Sequence, residues 1–427
     1  MENDRSICLN NLKFLSVICI IVFIILSLTQ ETTNTRLKLS ETLGVNIHDS
    51  WNATSPTLIK KYGANIVRDG ITWGVVEKTP GVYDFTNNGR INYDTLVEKL
   101  KNNNLQPLLI LLYTNKLYGE NRALDNEKIK QAYVRYVSVT TSRYKNNGII
   151  WEIYNEPNGG FWSPQTNSAA NYTDVVKRVY PVIKNNDPSG LVVAPALSRL
   201  DEPSLRWLEE TFKLGLLDYV DAISVHPYRR TNPETVIADY AKLRTLIAKY
   251  TDKEIPIMAD EWGYSNVPNW NGFGGTSTAS SELQQAQFIT RMILINHAEG
   301  IENTLVYDWK DDGQDPGNIE HHFGLMKFDQ KTPKKSGTAY KTLVDTLGNY
   351  RYVERVDNGN ADDYVFKYID DNSKIAYAFW TSGSDHRFTL NGRIKGEVTS
   401  MFGHKAKVDG RDITFYISES PSYLIID

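Results

Sequence analysis

Two glutamates stand where apolar runs stop: Glu156 in IIWEIYNEPN (149–158) and Glu261 in IPIMADEWGYS (255–265). A pair of carboxylates can divide the work of cleaving an acetal. One delivers a proton to the leaving oxygen, while the other stays ionised to attack carbon or to activate water. The division needs both groups on one rim of the molecule and in unlike surroundings. Asn155 and Pro157 on either side of Glu156 mark a turn directly after the run. Strand alternation predicts that Ile257, Ala259 and Glu261 share one face, with Asp260 on the other.

The elements that must position these groups repeat one phrase from residue 41 on: a short β-rich run, then a longer segment of helical period. Eight runs are predicted, at 43–48, 65–71, 106–113, 149–155, 191–197, 221–227, 255–261 and 303–309. The clearest helices are 125–145, 167–186, 233–250 and 279–298, with cap-like starts such as TNPET and ends such as NNDPSG or AEG. Eight such units predict a (β/α)8 TIM barrel over 41–348, whose chemistry sits at the carboxyl ends of its strands. Glu156 then follows the fourth strand and Glu261 ends the seventh. Beyond about residue 348 the helical period gives way to alternating strands and short turns, which predicts a small all-β sandwich over 349–427.

The 427 residues carry a net charge of -4 and so offer no basic footprint for nucleic acid. Residues 14–28, FLSVICIIVFIILSL, follow Arg5 and Lys13 and form an uncharged apolar segment. Its length lies between a signal-peptide core and a spanning helix, and Ser27-Leu28-Thr29 fits a cleavage site poorly. Residues 1–30 are therefore expected to be a signal peptide or, in preference, a membrane anchor, with 31–40 as linker and the barrel outside the cytoplasm. Both cysteines, Cys8 and Cys19, fall in or beside this segment, so the exported part has no disulfide, Cys metal site or Cys nucleophile.

Aromatic residues recur just after the predicted strands: Trp51, Trp73, Phe161, Trp162, Trp262, Trp270 and Phe273. The apolar face of a sugar ring stacks on such side chains while its hydroxyls take directional hydrogen bonds. Several of them on one rim predict a cleft with several subsites and endo cleavage of a polysaccharide or oligosaccharide.

The Asn155-Glu156 pair after the fourth strand and Glu261 at the end of the seventh resemble glycoside hydrolase clan A over about residues 41–348. The resemblance implies an acid/base role for Glu156, a nucleophilic role for Glu261 and a retaining mechanism. His226 and Tyr228 in VHPY are similar to the clan's His-x-Tyr, which implies a Tyr228 hydrogen bond to the nucleophile. Arg68 resembles the clan arginine beneath the nucleophile, Trp309 the tryptophan under the reacting sugar, and His48 is a candidate for hydroxyl contacts. The stretches NEPN, DEWGYS and HFGLMKFDQKTPKKSGTAYKTL look most like family 39, with family 5 next.

Competing motifs fail. DWKDDGQDPG (308–317) places Lys310 at the third position of a calcium loop and lacks a Glu at the twelfth. His321 and His322 are adjacent instead of being spaced as on a zinc-binding helix face. No phosphate loop or nucleophile elbow is present, and the reading calls for no cofactor and no metal. A transglycosylase would share every catalytic residue, and a noncatalytic carbohydrate-binding barrel would need neither glutamate. Cell fractionation with external protease should find the full-length chain in the membrane fraction and its barrel open to cleavage from outside. Full-length protein soluble in the cytoplasm would remove both anchor and export.

Overall fold

The computed structural model describes residues 36–48, 54–86, 92–267 and 278–427. The apolar segment, both cysteines, Trp51, Trp270 and Phe273 lie outside the described residues. Among the described residues, no helix is long and apolar enough to cross a membrane.

Eight parallel strands close a barrel: β1 Leu43–Asn46, β2 Ile66–Thr72, β3 Gln106–Leu112, β4 Ile150–Ile153, β5 Leu191–Leu197, β6 Ala222–Val225, β7 Ile257–Trp262 and β8 Asn303–Val306. Each is followed by a helix: α1 Pro56–Tyr62, α2 Tyr93–Asn102, α3 Glu127–Arg143, α4 Ser168–Asn186, α5 Glu202–Lys213, α6 Val236–Ala248, α7 Glu282–Ala298 and α8 Lys335–Leu347. Starts are set by side-chain caps. Ser55, Asn92, Asn126, Asp201 and Ser281 each accept the backbone N–H three residues on, at a helix end that would otherwise leave it unpaired.

The barrel interior is stratified. Ile66, Leu108, Ile110, Ile150, Val193, Ala222, Met258 and Leu305 fill it with apolar side chains. Two residues further along the strands, the same inward face carries Arg68, Glu152, Ser224 and Asp260, all buried. The polar layer therefore sits at the carboxyl ends, where the chemistry belongs.

Strand alternation does not hold to the end of β7. Ile257 and Ala259 pack outward into the helix layer, and Met258 and Asp260 point inward. Between Ala259↔Thr304 and Trp262↔Val306 the β7 strand advances by one residue more than β8. This bulge turns Glu261 inward next to Asp260 instead of outward with Ile257 and Ala259.

The sandwich is built from one continuous antiparallel sheet. Its strands are β9 Arg351–Arg355, β10 Asp363–Ile369, β11 Ile375–Thr381, β12 His386–Ser400, β13 Lys405–Ile417 and β14 Ser422–Ile426, in spatial order β9-β10-β11-β14-β12-β13. One face, with Phe366, Tyr368, Trp380 and Tyr423, joins the barrel's own core. On the other face Phe379 lies 5.2 Å from Phe388, ring centre to ring centre, although the ladder places Phe379 level with Ser400 through Ser422. The β12–β13 hairpin therefore folds back over the sheet and makes the second layer.

Between barrel and sheet, Glu234 accepts hydrogen bonds from Arg291 Nε (2.7 Å) and Nη2 (2.6 Å) and from Trp380 Nε1 (2.8 Å). Arg291 is fully buried. Glu234→Ala leaves its charge only Glu419, 3.7 Å from Nη1, and should destabilise the protein by about 3–5 kcal/mol. Calorimetric unfolding would show it, and an unchanged Tm would mean that Arg291 finds water or another carboxylate.

Candidate active site

At the carboxyl ends of the strands a cavity of about 850 Å³ opens, with Glu156 and Glu261 in its wall. Their delivery differs. Glu261 rides the bulge of β7, while Glu156 sits just past β4 on a backbone with φ of 66° at Tyr154 and 49° at Glu156. Left-handed φ at residues with side chains costs about 1–3 kcal/mol each and persists only where the surroundings impose it. Here the buried Tyr154 hydroxyl lies within hydrogen-bond distance of the carbonyls of Arg122 (2.8 Å) and Phe161 (3.0 Å). Asn155 Oδ1 accepts from Arg68 Nη2 at 2.8 Å. The turn is pinned on both sides of its crest, and Glu156 faces the cavity.

Arg68, 3% exposed, is the centre of the layer beneath. Its Nη1 donates to Glu261 Oε2 (2.5 Å) and Asn46 Oδ1 (2.8 Å), and its Nε donates to Glu152 Oε2 (2.7 Å). Tyr228 Oη donates to Glu261 Oε1 at 2.9 Å. Burial would raise the Glu261 carboxyl, but His226, Arg68 and His48 outweigh it and hold the group down to about 2. Burial and the carboxylates of Glu261 and Glu156 push the Tyr228 phenol well up, so it remains a donor.

Glu156 meets a different setting: its Oε1 lies 2.8 Å from His226 Nδ1, and the ring is fully buried. His226 Nε2 lies 3.4 Å from Arg68 Nη2 and 3.5 Å from Asp260 Oδ1. Burial and the neighbouring Glu152 push the Asp260 carboxyl well up, against the pull of Arg68. An oxygen of Glu156 and one of Glu261 lie within 4.8 Å of each other, and His226 Nδ1 stands 3.7 Å from Glu261 Oε1.

His48 borders the cavity, with Nδ1 2.9 Å from Asp312 Oδ2 and 3.1 Å from the hydroxyl of Tyr307. Its partial burial lowers the imidazole pKa, but Asp312, Asp308 and Glu261 raise it further above its ordinary value.

Trp309 does not face the cavity. The β8 ladder ends at Val306, and Trp309 is fully buried against Tyr62, their rings 5.5 Å apart, while Tyr307 presents the ring to the cavity. Gly263 lets that backbone in, because a Cβ there would stand 2.0 Å from the Tyr307 carbonyl oxygen. Trp73, Trp162 and Trp262 are likewise core residues at 0–1% exposure. Phe161 alone among the predicted and described platforms is open, at 42%, with its ring parallel to Tyr113 at 5.5 Å. Glu152, Asp312 and Glu320 escaped the sequence reading. Only Glu152 left a signal there: a charge inside an apolar strand needs a partner, and Arg68 stands in another such strand.

The chain matches the model of the family described as cellulase, glycosyl hydrolase family 5, over residues 29–312. No curated protein matches it in sequence. A family 39 glycoside hydrolase from the gut symbiont Bacteroides cellulosilyticus WH2 has a similar structure, with TM-score 0.77 and 20% identity over 92% of this chain and 82% of that one. A monomeric β-xylosidase from Caulobacter crescentus CB15 gives 0.65 and 16% over 92% and 97%. The catalytic domain of a family 30 xylanase C from Talaromyces cellulolyticus gives 0.62 and 12% over 92% and 98%.

The low pKa of Glu261 has a stability consequence. The unfolded carboxyl titrates near 4.3, so the stabilisation is complete above that pH and is lost as pH falls towards 2. In urea titrations from pH 6 to 2.5, the stability difference between the parent and Glu261→Gln should shrink with falling pH. A constant difference would place the titration elsewhere.

Proposed function

From the premise that the chain belongs to the cellulase family, glycosyl hydrolase family 5, we propose that this glycoside hydrolase cleaves a polysaccharide with retention, using Glu261 as nucleophile and Glu156 as acid/base. The observation that carries the reading is the near approach of the two carboxylates, within 4.8 Å at one oxygen each, in unlike surroundings. Retaining enzymes hold their carboxyl groups about 5–5.5 Å apart, whereas inverting ones leave about 6.5–9.5 Å for a water between them.

In the first step Glu261 attacks the anomeric carbon as the glycosidic bond breaks, and Glu156 gives its proton to the departing oxygen. In the second, Glu156 takes a proton from water, whose oxygen displaces Glu261 from the same carbon. Arg68 and Tyr228 suit Glu261 to this role because both donate to it and keep it ionised while free. His226 holds one oxygen of Glu156, which leaves the other to face the leaving group.

The mouth supports endo action. In the closed strand order β1 and β8 stand opposite β4 and β5, so the His48–Asp312 pair and the open Phe161 ring flank the two glutamates from opposite sides. A sugar chain can then be held on both sides of the bond to be cut. The named β-xylosidase and xylanase among the similar structures make xylans the first polysaccharides to try, and the apolar segment at 14–28 supports export.

Glu261→Gln should stop glycosyl-enzyme formation. Glu156→Gln should slow natural substrates by about 10²–10⁴, and activated aryl glycosides much less, since these depart with little protonation. Azide should restore turnover of the activated substrate by Glu156→Gln and yield a glycosyl azide of retained configuration. The anomer first formed by the parent enzyme, read by NMR, is the sharpest test: an inverted product removes Glu261 from the nucleophile role.

A further inference from the structure

We propose that His48, Asp308 and Asp312 form a binding site for one divalent transition-metal cation in the cavity wall. One ring nitrogen of His48 and one carboxylate oxygen from each Asp lie within 4.8 Å of one another. His48 follows β1 and the two aspartates follow β8, its neighbour in the closed barrel, so the fold assembles three groups that share no sequence motif. The third ligand comes from just past the neighbouring strand β1, far off in sequence, so no local loop motif could reveal the set.

The 2.9 Å between His48 Nδ1 and Asp312 Oδ2 fits a shared proton, and it fits equally two adjacent ligands at about 2.0–2.2 Å from one metal. Asp308 separates the two cases. It is 1% exposed, and its Oδ1 is buried with no hydrogen-bond partner. A proton on His48 Nδ1 serves one carboxylate at a time, so Asp308 is left as an uncompensated buried acceptor, whereas a divalent ion serves all three groups at once.

The other charges nearby are engaged elsewhere or reach only the far side. Lys310 Nζ stands 3.6 Å from Asp312 Oδ1, Asp311 is paired with Lys334, and Glu320 accepts from the Tyr307 hydroxyl at 2.7 Å.

One imidazole nitrogen with two carboxylate oxygens suits Zn²⁺ or Mn²⁺ better than an all-oxygen calcium cage. His48 and Asp312 border the cavity while Asp308 stands behind them, so the ion's open positions face the space where a sugar would lie. Two neighbouring hydroxyls of the substrate can complete its shell. Only that last role rests on the glycosidase reading; the binding of the ion does not.

The test uses the full chain, stripped with chelator and titrated with MnCl₂ while free Mn²⁺ is followed by electron paramagnetic resonance, with Zn²⁺ as competitor. One Mn²⁺ per chain is expected, displaced by Zn²⁺, with affinity lowered by at least about 10–100-fold in Asp308→Asn and in Asp312→Asn. If Asp308→Asn does not fold, Asp312→Asn at the cavity surface decides alone. No saturable binding by the parent, or binding unchanged in Asp312→Asn, overturns the site and leaves protonated His48 as the counter-ion. Glu261→Gln should bind Mn²⁺ as the parent does whether or not the enzyme cleaves sugars, so failure of the site and failure of the glycosidase reading are told apart.

Discussion

A buried guanidinium that cannot lose its proton governs the working end of this barrel. Arg68 is almost without solvent, and one side chain meets Glu152, Glu261, Asn46 and Asn155. Bringing a cation and several carboxylates into a protein interior costs several kcal/mol per ion before their mutual attraction returns any of it. An apolar layer of the same volume would serve stability as well. What the charged layer supplies is a direction: Glu261 is held as an anion with a fixed orientation, and Asn155 is fixed beside Glu156. One residue on β2 thereby positions both cavity glutamates.

The unlike behaviour of the two glutamates follows from where each meets this layer. Glu261 takes hydrogen bonds from Arg68 and from the Tyr228 hydroxyl, which together stabilise its charge. Glu156 touches a single imidazole on a crest of strained backbone, with its free oxygen toward the cavity. The β7 bulge is the second device, because it points two consecutive carboxyl residues inward. Asp260 goes down to Glu152 and His226, and Glu261 goes up to the cavity.

Much of this could be read from residues alone, for physical reasons. The eight barrel strands are β-rich runs between turn signals, and all eight appear within a few residues of the predicted bounds. Asn155-Glu156 and Glu261 stand where such strands end, and the closed barrel gathers those ends. What failed were arguments that extend a period past its element. Alternation put Glu261 on the face opposite to the one it occupies, since a one-residue bulge reverses parity. The same extension carried Trp309 to the rim, though β8 stops at Val306. Tryptophans after strands read equally well as platforms or as core, and burial decides for core at Trp73, Trp162 and Trp262. Asp312 lies in a loop and Glu320 in a single 3-10 turn, Ile319–His322, so neither has a period to extend.

The terminal sheet contributes no side chain to the cavity wall, yet it bears on the chemistry through α7. That helix is wedged between the sheet and the strands that end at the site. On one side Arg291 meets Glu234, which Trp380 of the sheet also holds, and Gln287 donates to Ser420 at 2.9 Å. On the other, Gln285 donates to the Tyr264 carbonyl at 2.7 Å, three residues beyond Glu261. Asn296 and Trp262 both donate to the Thr304 hydroxyl, at 2.8 and 2.9 Å. The bulge that presents Glu261 is thus backed by polar contacts that α7 can make only while it is seated. A strained turn on β4 and an irregular strand in β7 each raise the energy of the mouth. A sheet that fixes the helix behind β7 supplies rigidity where neither the loops nor the charged layer can.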